Sequence, residues 1–228
     1  MSVLIGAQLL QTVHGGPGVL VGAAPGAEPT RVVIIGGGTV GVAAAQAAVA
    51  LGALVTLFEL REQRRQQLRD LLPQVTVVPP TPRLVGEAVA QAWLVINGAT
   101  VPAHSDQHVV SREMVRAMQP GAVIVDVTAD LCGAIETTVR NTTHAQPTFV
   151  EEGVTHYVVP NIPGVVPRTS TRALEAPVCP TRSSWRRRAL WRPSRAIRRW
   201  LGRCCAMTGV RSRLTWRESR VSSELSDR

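Results

Sequence analysis

The sequence predicts an α/β fold in which helices cover both faces of a parallel sheet, and three observations predict it. Short apolar runs of strand length alternate along the chain with longer helical segments. A glycine-rich turn, Gly36-x-Gly38-x-x-Gly41, directly follows one of these runs and opens a helix. An acidic residue, Glu59, ends the next apolar run. Together these features are typical of a Rossmann-type, doubly wound parallel sheet.

The elements of the first half follow from hydrophobic pattern and turn residues. Residues 3–13 predict a short helix, which ends at the glycines before residue 19. Residues 31–35 form a continuous apolar run, as expected for a strand buried on both faces. The alanine-rich run at 42–51 predicts a helix with almost no polar face, ended by Gly52. The remaining elements of this half are a strand at 54–58, a charged helix at 61–72 and a strand at 75–78.

The second half continues the alternation, and we find no internal repeat. Ser111 is expected to cap a helix that runs to residue 118, and Pro120 with Gly121 turns the chain into the next strand. In order, this half predicts a helix at 84–92, a strand at 93–96, a long loop at 97–110, the helix at 111–118, and strands at 122–126 and 157–159.

One uncharged stretch, residues 32–58, is long enough to cross a bilayer. Its glycines and Gln46 instead favour a buried strand, helix and strand, so no transmembrane segment is expected.

Charge and composition divide the chain near residue 175. Residues 1–174 hold 11 Arg and 12 acidic residues, whereas residues 175–228 hold 14 Arg and 4 acidic residues, together with four of the five Trp. We expect the basic tail, 175–228, to be largely disordered. The chain contains no lysine, which excludes a Schiff base or a lysine general base from its own residues. Neither the cysteines nor the histidines have the spacing of a metal site, so no metal is predicted.

The glycine-rich turn predicts a dinucleotide site. Gly36 allows a tight turn, Gly38 lets a pyrophosphate approach the backbone, and Gly41 lets helix and strand pack closely. The free N–H groups of the helix that follows then face the phosphates. A carboxylate at Glu59 accepts hydrogen bonds from the adenosine ribose and repels a 2′-phosphate, so NAD is favoured over NADP. A glycine turn without a ligand is the alternative.

Further strings make the pattern more specific. Residues 18–22, 25–26, 32–41, 112–115 and 123–127 are followed by Asn161-Ile162-Pro163-Gly164 and then by Pro167 to Thr171. In this order they resemble the NAD-binding domain of the alanine dehydrogenase/pyridine nucleotide transhydrogenase family, with alanine dehydrogenase the better match. The resemblance covers about residues 5–174. It implies that residues 1–17 are a remnant of an interdomain helix and that residues 18–174 form the NAD-binding domain.

The resemblance implies a role for each matching position. Asp130 would be the catalytic aspartate beside the nicotinamide and substrate, although a cap or turn residue is the plain alternative. The family's arginine near the adenine corresponds to Arg64, which could equally be a solvated charge. The expected cofactor-binding residues are Gly36, Gly38, Thr39, Val40, Gly41, Glu59, Arg64, Thr100, Val101, Val127, Asp130, Asn161 and Ile162.

The sequence also departs from the family pattern. Leu131-Cys132 replaces the family's Gln-Gly after the aspartate, and Pro80 stands where the family has a serine near the adenosine. A preceding substrate domain, with its lysine and histidine, has no counterpart. We therefore expect an N-terminally truncated relative, and the abrupt tail suggests a frame-shifted C-terminus.

Several functions remain open from these residues. The first is an NAD(H)-binding domain that resembles alanine dehydrogenase. We expect this domain to be inactive alone, because the substrate domain is missing, and to be cytoplasmic. The alternatives are an NAD-binding subunit of a transhydrogenase-like assembly, with a separate chain supplying the substrate domain, and a module whose tail contacts nucleic acid or an anionic membrane. A homo-oligomer is compatible with the resemblance, and no specific nucleic acid is predicted.

Overall fold

A computed structural model describes residues 1–101, 108–129, 131 and 133–178, with side chains only as far as residue 174. Met1–Ser170 forms one compact unit. The predicted disordered tail lies almost entirely outside the described residues. The helices are α1 (Ser2–Leu9), α2 (Thr39–Ala50), α3 (Glu62–Leu71), α4 (Pro82–Ala90), α5 (Arg112–Arg116) and α6 (Pro167–Val178), with 3-10 helices at Thr12–His14 and Ile162–Val165. The strands are β1 (Arg31–Ile35), β2 (Leu54–Phe58), β3 (Thr76–Val78), β4 (Leu94–Asn97), β5 (Val123–Asp126), β6 (Thr148–Glu151) and β7 (Val154–Tyr157).

The sheet has the strand order β3-β2-β1-β4-β5-β7-β6. Every neighbouring pair is parallel except β6 and β7, which form an antiparallel hairpin at one edge. β1 is the first strand of the sheet. The next two strands, β2 and β3, lie on one side of it, and the chain then crosses back so that β4 and β5 lie on the other side. The predicted Rossmann-type sheet is therefore confirmed, and the order reverses between β1 and β4.

The core lies in two layers, one on each face of the sheet. Alternate residues of β1 show the division, because Val32 and Ile34 pack into one cluster and Val33 and Ile35 into the other. The first cluster includes buried residues of α1, α2 and α3, and the second those of α4 and α5. Alanines on the buried face of α2 let this helix approach the sheet closely.

Most element positions agree with the sequence predictions, including the strands at 31–35 and 54–58. The uncharged stretch 32–58 forms a strand, a helix and a strand, as predicted. Within the ranges described, no helix is long and apolar enough to cross a membrane. Ser111 caps α5 as expected, since its hydroxyl accepts a hydrogen bond from the Met114 N–H at 3.3 Å.

The main differences lie at the C-terminal edge of the sheet. The last strand is Val154–Tyr157, earlier than the predicted 157–159, and β6 has no predicted counterpart. The hairpin turns through Glu152 and Gly153, both with positive φ. A Glu is an unusual residue for that conformation, so the sequence lacked the turn signal that predicts a hairpin.

Ion pairs and one buried histidine stabilise this edge. Arg112 of α5 pairs with Glu151 and Glu152, and Arg116 pairs with Glu152 as well. His156 of β7 is fully buried, and both ring nitrogens form hydrogen bonds. Nε2 lies 2.8 Å from the Thr137 hydroxyl, and Nδ1 lies 3.0 Å from the Val154 carbonyl. A carbonyl only accepts, so Nδ1 carries the proton and Nε2 accepts from the hydroxyl.

Candidate functional site

The reversal of strand order places a crevice at the carboxyl ends of β1 and β4. The connections from these two strands leave in opposite directions, and open α/β sheets bind ligands at such a point. The turn after β1 and the loop after β4 border the crevice and contact each other. The Gly98 N–H donates to the Ile35 carbonyl at 2.9 Å, and a Cβ on Gly36 would lie 3.0 Å from the Ala99 backbone nitrogen.

The glycine-rich turn is shaped by two close backbone approaches. Gly36 has a φ of +94°, a conformation that L side chains rarely adopt, and its N–H donates to the Phe58 carbonyl at 2.8 Å. A Cβ on Gly41 would lie 1.9 Å from the Gly36 carbonyl oxygen. Both glycines are therefore required by the fold itself, with or without a ligand.

Gly38 differs from its two partners. Its φ of −77° suits any residue, and a Cβ there would meet no atom within 4 Å. Gly38, Thr39 and Val40 are exposed at the first turn of the 12-residue helix α2. The unsatisfied N–H groups of this turn and the helix dipole favour an anion at this place.

Glu59 follows β2 and lies against the glycine-rich turn. It is only 7% exposed. One carboxylate oxygen accepts the Gly37 N–H at 3.0 Å, and the other accepts the Arg61 N–H at 2.9 Å and Arg61 Nε at 3.3 Å. Burial alone would raise the pKa of Glu59, but the hydrogen bonds from Arg61 and Gly37 together outweigh it and lower the pKa. The carboxyl group is therefore ionised at neutral pH.

Arg64 of α3 reaches back to the same turn. Its Nε donates to the Gly37 carbonyl at 3.0 Å, and its Nη1 donates to the Gln67 side chain at 3.1 Å. The Gly37 residue is thus held through its N–H by Glu59 and through its carbonyl by Arg64. Gly37 was not among the site residues predicted from the sequence, and its position between Gly36 and Gly38 was the available signal.

Beyond β4 the structure places Thr100 exposed and Val101 half-buried at the edge of the crevice. Val127 follows β5 and is also half-buried, and its N–H donates to the Asn97 carbonyl at 3.0 Å. Asn161 follows β7, is exposed, and has a φ of +61°. Ile162 is 4% exposed and packs in the core layer with α1 and α2.

Asp130 and Cys132 lie outside the described residues. The structure thus brings together the glycine-rich turn, Glu59 and Arg64. Thr100, Val101, Val127 and Asn161 follow the same ends of successive parallel strands.

A buried polar network, which the sequence did not reveal, joins the ends of β4 and β5. Asn97 and Asp126 are fully buried, and the Asn97 side-chain amide donates to Asp126 at 2.9 Å and to the Thr128 hydroxyl at 3.1 Å. Asp126 also accepts from the N–H groups of Thr128 and Ala129 and from the hydroxyls of Thr128 and Thr138. A polar residue ending each of two adjacent apolar strands was the available signal. The network fixes the turn that leads to Asp130.

Two surface pockets lie away from this crevice. One, of about 520 Å³, lies at the amino ends of β1 and β4, and Pro29, Arg31 and Trp93 are among the residues that line it. A smaller one of about 260 Å³ lies between β2, β3 and α4. Among the described residues no group of His, Cys, Asp and Glu could hold a metal ion.

Comparisons with known proteins agree with this geometry. Residues 2–193 match the model of the alanine dehydrogenase/PNT C-terminal domain family. Alanine dehydrogenase of Geobacillus stearothermophilus is 46% identical over 175 residues, which cover 76% of this chain and 47% of that protein. The enzyme of Methanococcus maripaludis is 47% identical over 175 residues, with the same coverage of both chains. The chain thus spans about half the length of the curated relatives it matches.

Solved structures give the same result. An L-alanine dehydrogenase superimposes with a TM-score of 0.72 and 43% identity, covering 77% of this chain and 48% of that one. The transhydrogenase from Sinorhizobium meliloti gives a TM-score of 0.59 at 22% identity, covering 72% and 47%, and shows a shared fold alone. The resemblance seen in the sequence is confirmed, and with it the expected cofactor, NAD. The chain belongs to the alanine dehydrogenase/PNT C-terminal domain family.

Proposed function

We propose that this chain is the NAD(H)-binding part of an alanine dehydrogenase, with the dinucleotide in the crevice at the carboxyl ends of β1 and β4. The observation that carries the proposal is the open space at Gly38, beside the exposed first turn of α2 and next to an ionised Glu59. A packed α/β domain without a ligand has no need of a glycine at Gly38, since its φ suits any residue. A pyrophosphate needs that space, because a methyl group there would block its approach to the backbone.

Each end of the dinucleotide then has its own residues. The N–H groups of Thr39 and Val40 bind the pyrophosphate at the helix N-terminus. Glu59 has two carboxylate oxygens with room for about four donors, of which three are present, so it can accept one ribose hydroxyl. Arg64 holds the Gly37 carbonyl and borders the adenine side.

The nicotinamide end lies further along the sheet. Thr100 and Val101 line the crevice after β4, and Val127 lines it after β5. Asn161 borders it after β7, and the buried Ile162 supports Asn161 from the core. We assign Asp130 to the position beside the nicotinamide and the substrate. The bound cofactor supplies a hydride acceptor, and these residues orient it.

Alanine is proposed as the substrate because the matched relatives are named alanine dehydrogenases. In that family a lysine and a histidine of a separate domain handle the substrate. No lysine occurs among the 228 residues, so such a contact must come from elsewhere. We therefore expect the chain alone to bind NADH but to turn over alanine slowly or not at all. A transhydrogenase-like assembly has only the shared fold in its favour.

The test is a titration of the full chain with NADH, in which the fluorescence of NADH reports binding. Saturable binding supports the proposal, and the absence of binding by a folded chain overturns it. An assay of alanine-dependent NADH production by the same preparation tests the second part. Robust turnover by the pure chain would contradict the assignment of substrate contacts to another segment or chain.

A further inference from the structure

We propose that Arg65 positions the Glu59 carboxylate, and that it thereby sets how strongly the site prefers a ribose to a 2′-deoxyribose at the adenosine end of the dinucleotide. The inference rests on the proposed function and deepens it, because it adds a residue that the sequence did not single out. Arg65 acts through the main chain that carries Glu59, so it is a positioning residue and not a ligand contact.

Arg65 lies on the buried face of α3, together with Leu68. It is only 8% exposed, and a charged side chain at such a position is costly because it is removed from water. Within the described part of the chain, its buried Nε has no hydrogen-bond partner, which adds to the cost. An apolar residue would fill this face of the helix at a lower cost, so the reason for an arginine lies in the contacts of its other nitrogens.

The terminal amino groups of Arg65 hold the main chain directly after β2. Nη1 donates to the Glu59 carbonyl at 3.0 Å and to the Leu60 carbonyl at 2.6 Å, and Nη2 pairs with Glu62 in the first turn of α3. Over the ranges that the structure describes, neither carbonyl accepts a hydrogen bond from the backbone. One side chain therefore anchors the connection between β2 and α3.

This anchor fixes the direction in which the Glu59 side chain leaves the main chain. On the other side of the residue, the Glu59 N–H donates to the Val78 carbonyl of β3 at 3.1 Å. The contacts of Arg61 with the carboxylate come from the same segment and move with it. Among the contacts of the described residues, only the Gly37 N–H ties the carboxylate to the glycine-rich turn. The place of the carboxylate in the crevice therefore depends on Arg65.

A carboxylate at this place distinguishes a ribose from a 2′-deoxyribose, because it accepts a hydrogen bond from the 2′-hydroxyl. Hydrogen bonds weaken steeply when the angle or the distance departs from the preferred geometry. When Arg65 no longer holds the segment, Glu59 keeps its charge but not its fixed place. The bond to the 2′-hydroxyl is then lost, whereas the pyrophosphate contacts at the first turn of α2 remain.

The experiment measures, by nucleotide fluorescence, how the full chain binds NADH and the NADH analogue whose adenosine is 2′-deoxyadenosine. Arg65→Met removes the guanidinium and keeps an unbranched side chain. Arg69→Met is the matched control, because Arg69 also lies on α3 and also pairs with Glu62, but its Nη2 donates to the Val77 carbonyl of β3 at 3.2 Å. Both variants lose one positive charge beside Glu62. Thermal melts establish whether each variant is folded.

We expect wild type to bind NADH about tenfold or more tightly than the deoxy analogue, as one hydrogen bond to a charged acceptor provides. In Arg65→Met this preference should fall below about threefold, because NADH binding weakens while binding of the analogue changes by less than about twofold. Arg69→Met should keep the wild-type preference. If Arg65→Met does not fold, Arg65→Lys takes its place; its ammonium keeps the charge but not the fork, so the preference should fall by about twofold or more.

Four results would each overturn the inference and leave the proposed function intact. The first is equal binding of NADH and the deoxy analogue by wild type. The second is an unchanged preference in the folded Arg65→Met chain, or in Arg65→Lys where that variant replaces it. The third is an equal loss of both ligands in Arg65→Met, and the fourth is the same fall in preference in Arg69→Met. If a folded wild-type chain binds neither ligand, the proposed function fails and this inference fails with it.

Discussion

Gly38→Ala is expected to abolish tight NADH binding without weakening the fold. The backbone at Gly38 is extended, with φ −77° and ψ −165°, and a Cβ there would meet no atom within 4 Å. Alanine therefore fits the folded structure. Because alanine also restricts the unfolded chain, the substitution should leave the free energy of unfolding unchanged or raise it by about 0.4–1 kcal/mol.

The loss of binding follows from the same open space. The added methyl group occupies the route by which a pyrophosphate reaches the N–H groups of Thr39 and Val40. A hydrogen bond to a charged group contributes about 1.5–3 kcal/mol. Loss of one such bond should raise the Kd for NADH by roughly 10- to 100-fold.

Gly41→Ala is the opposite case and serves as the comparison. Its Cβ would lie 1.9 Å from the Gly36 carbonyl oxygen, so α2 must move away from the turn by more than an ångström. Such overpacking costs about 1–3 kcal/mol or more, and both stability and binding should fall. Urea denaturation and NADH fluorescence on the two variants separate these effects. Wild-type NADH affinity in Gly38→Ala would refute the placement of the pyrophosphate, and unchanged stability in Gly41→Ala would refute the packing argument.

Three further predictions concern stability. Asp126→Ala leaves buried donors unpaired, including the Asn97 amide, and should lower the free energy of unfolding in urea by about 3 kcal/mol or more; a loss below about 1 kcal/mol would contradict this. Burial lowers the pKa of His156 from 6.5, so below that pH the unfolded chain binds a proton that the folded chain does not; stability should fall as the pH drops through 6.5, and His156→Gln should flatten this slope in thermal melts. Hydrogen bonds from Arg116 and Arg112 lower the pKa of Glu152 from 4.5 to about 2, so the stabilisation by these ion pairs is complete above pH 4.5 and disappears toward pH 2. The difference in Tm between wild type and Glu152→Gln should therefore shrink as the pH falls over that range. A constant difference would argue against these ion pairs.

The sequence predicted β1, β4 and β5 well because nearly every residue of these strands is buried, on both faces of the sheet. Residues 31–35 and 54–58 are likewise nearly continuous apolar runs of strand length. The edge hairpin escaped prediction since Thr148–Glu151 mixes polar and apolar residues, and its turn uses Glu152 at a φ of +52°. The strand pattern is weak where a strand has one solvent-exposed side.

The sequence predicted those site residues whose backbone conformation or close contacts require a particular residue type. Gly36 and Gly41 are glycines because the fold leaves no room for a side chain, and Gly38 is one although the fold does leave room. The contact between Arg61 and Glu59 was not predictable in this way. An arginine after a strand has many uses, and only the three-dimensional structure shows its Nε beside Glu59.

The turn after β5 shows how the polar ends of the strands organise the site. Ala129 has a φ of +53°, a conformation that costs a non-glycine residue about 1–2 kcal/mol. Its N–H and that of Thr128 both donate to one oxygen of Asp126, and Asn97 donates to the same oxygen from β4. These bonds to a fully buried acceptor offset the cost, because breaking them would leave an oxygen of Asp126 with only the Thr128 hydroxyl as a partner in the core. The turn of residues 127–129 is thus held by β4 and β5. If the proposed function holds, Asn97→Ala should weaken NADH binding in the fluorescence titration through this turn, while the glycine-rich turn stays intact.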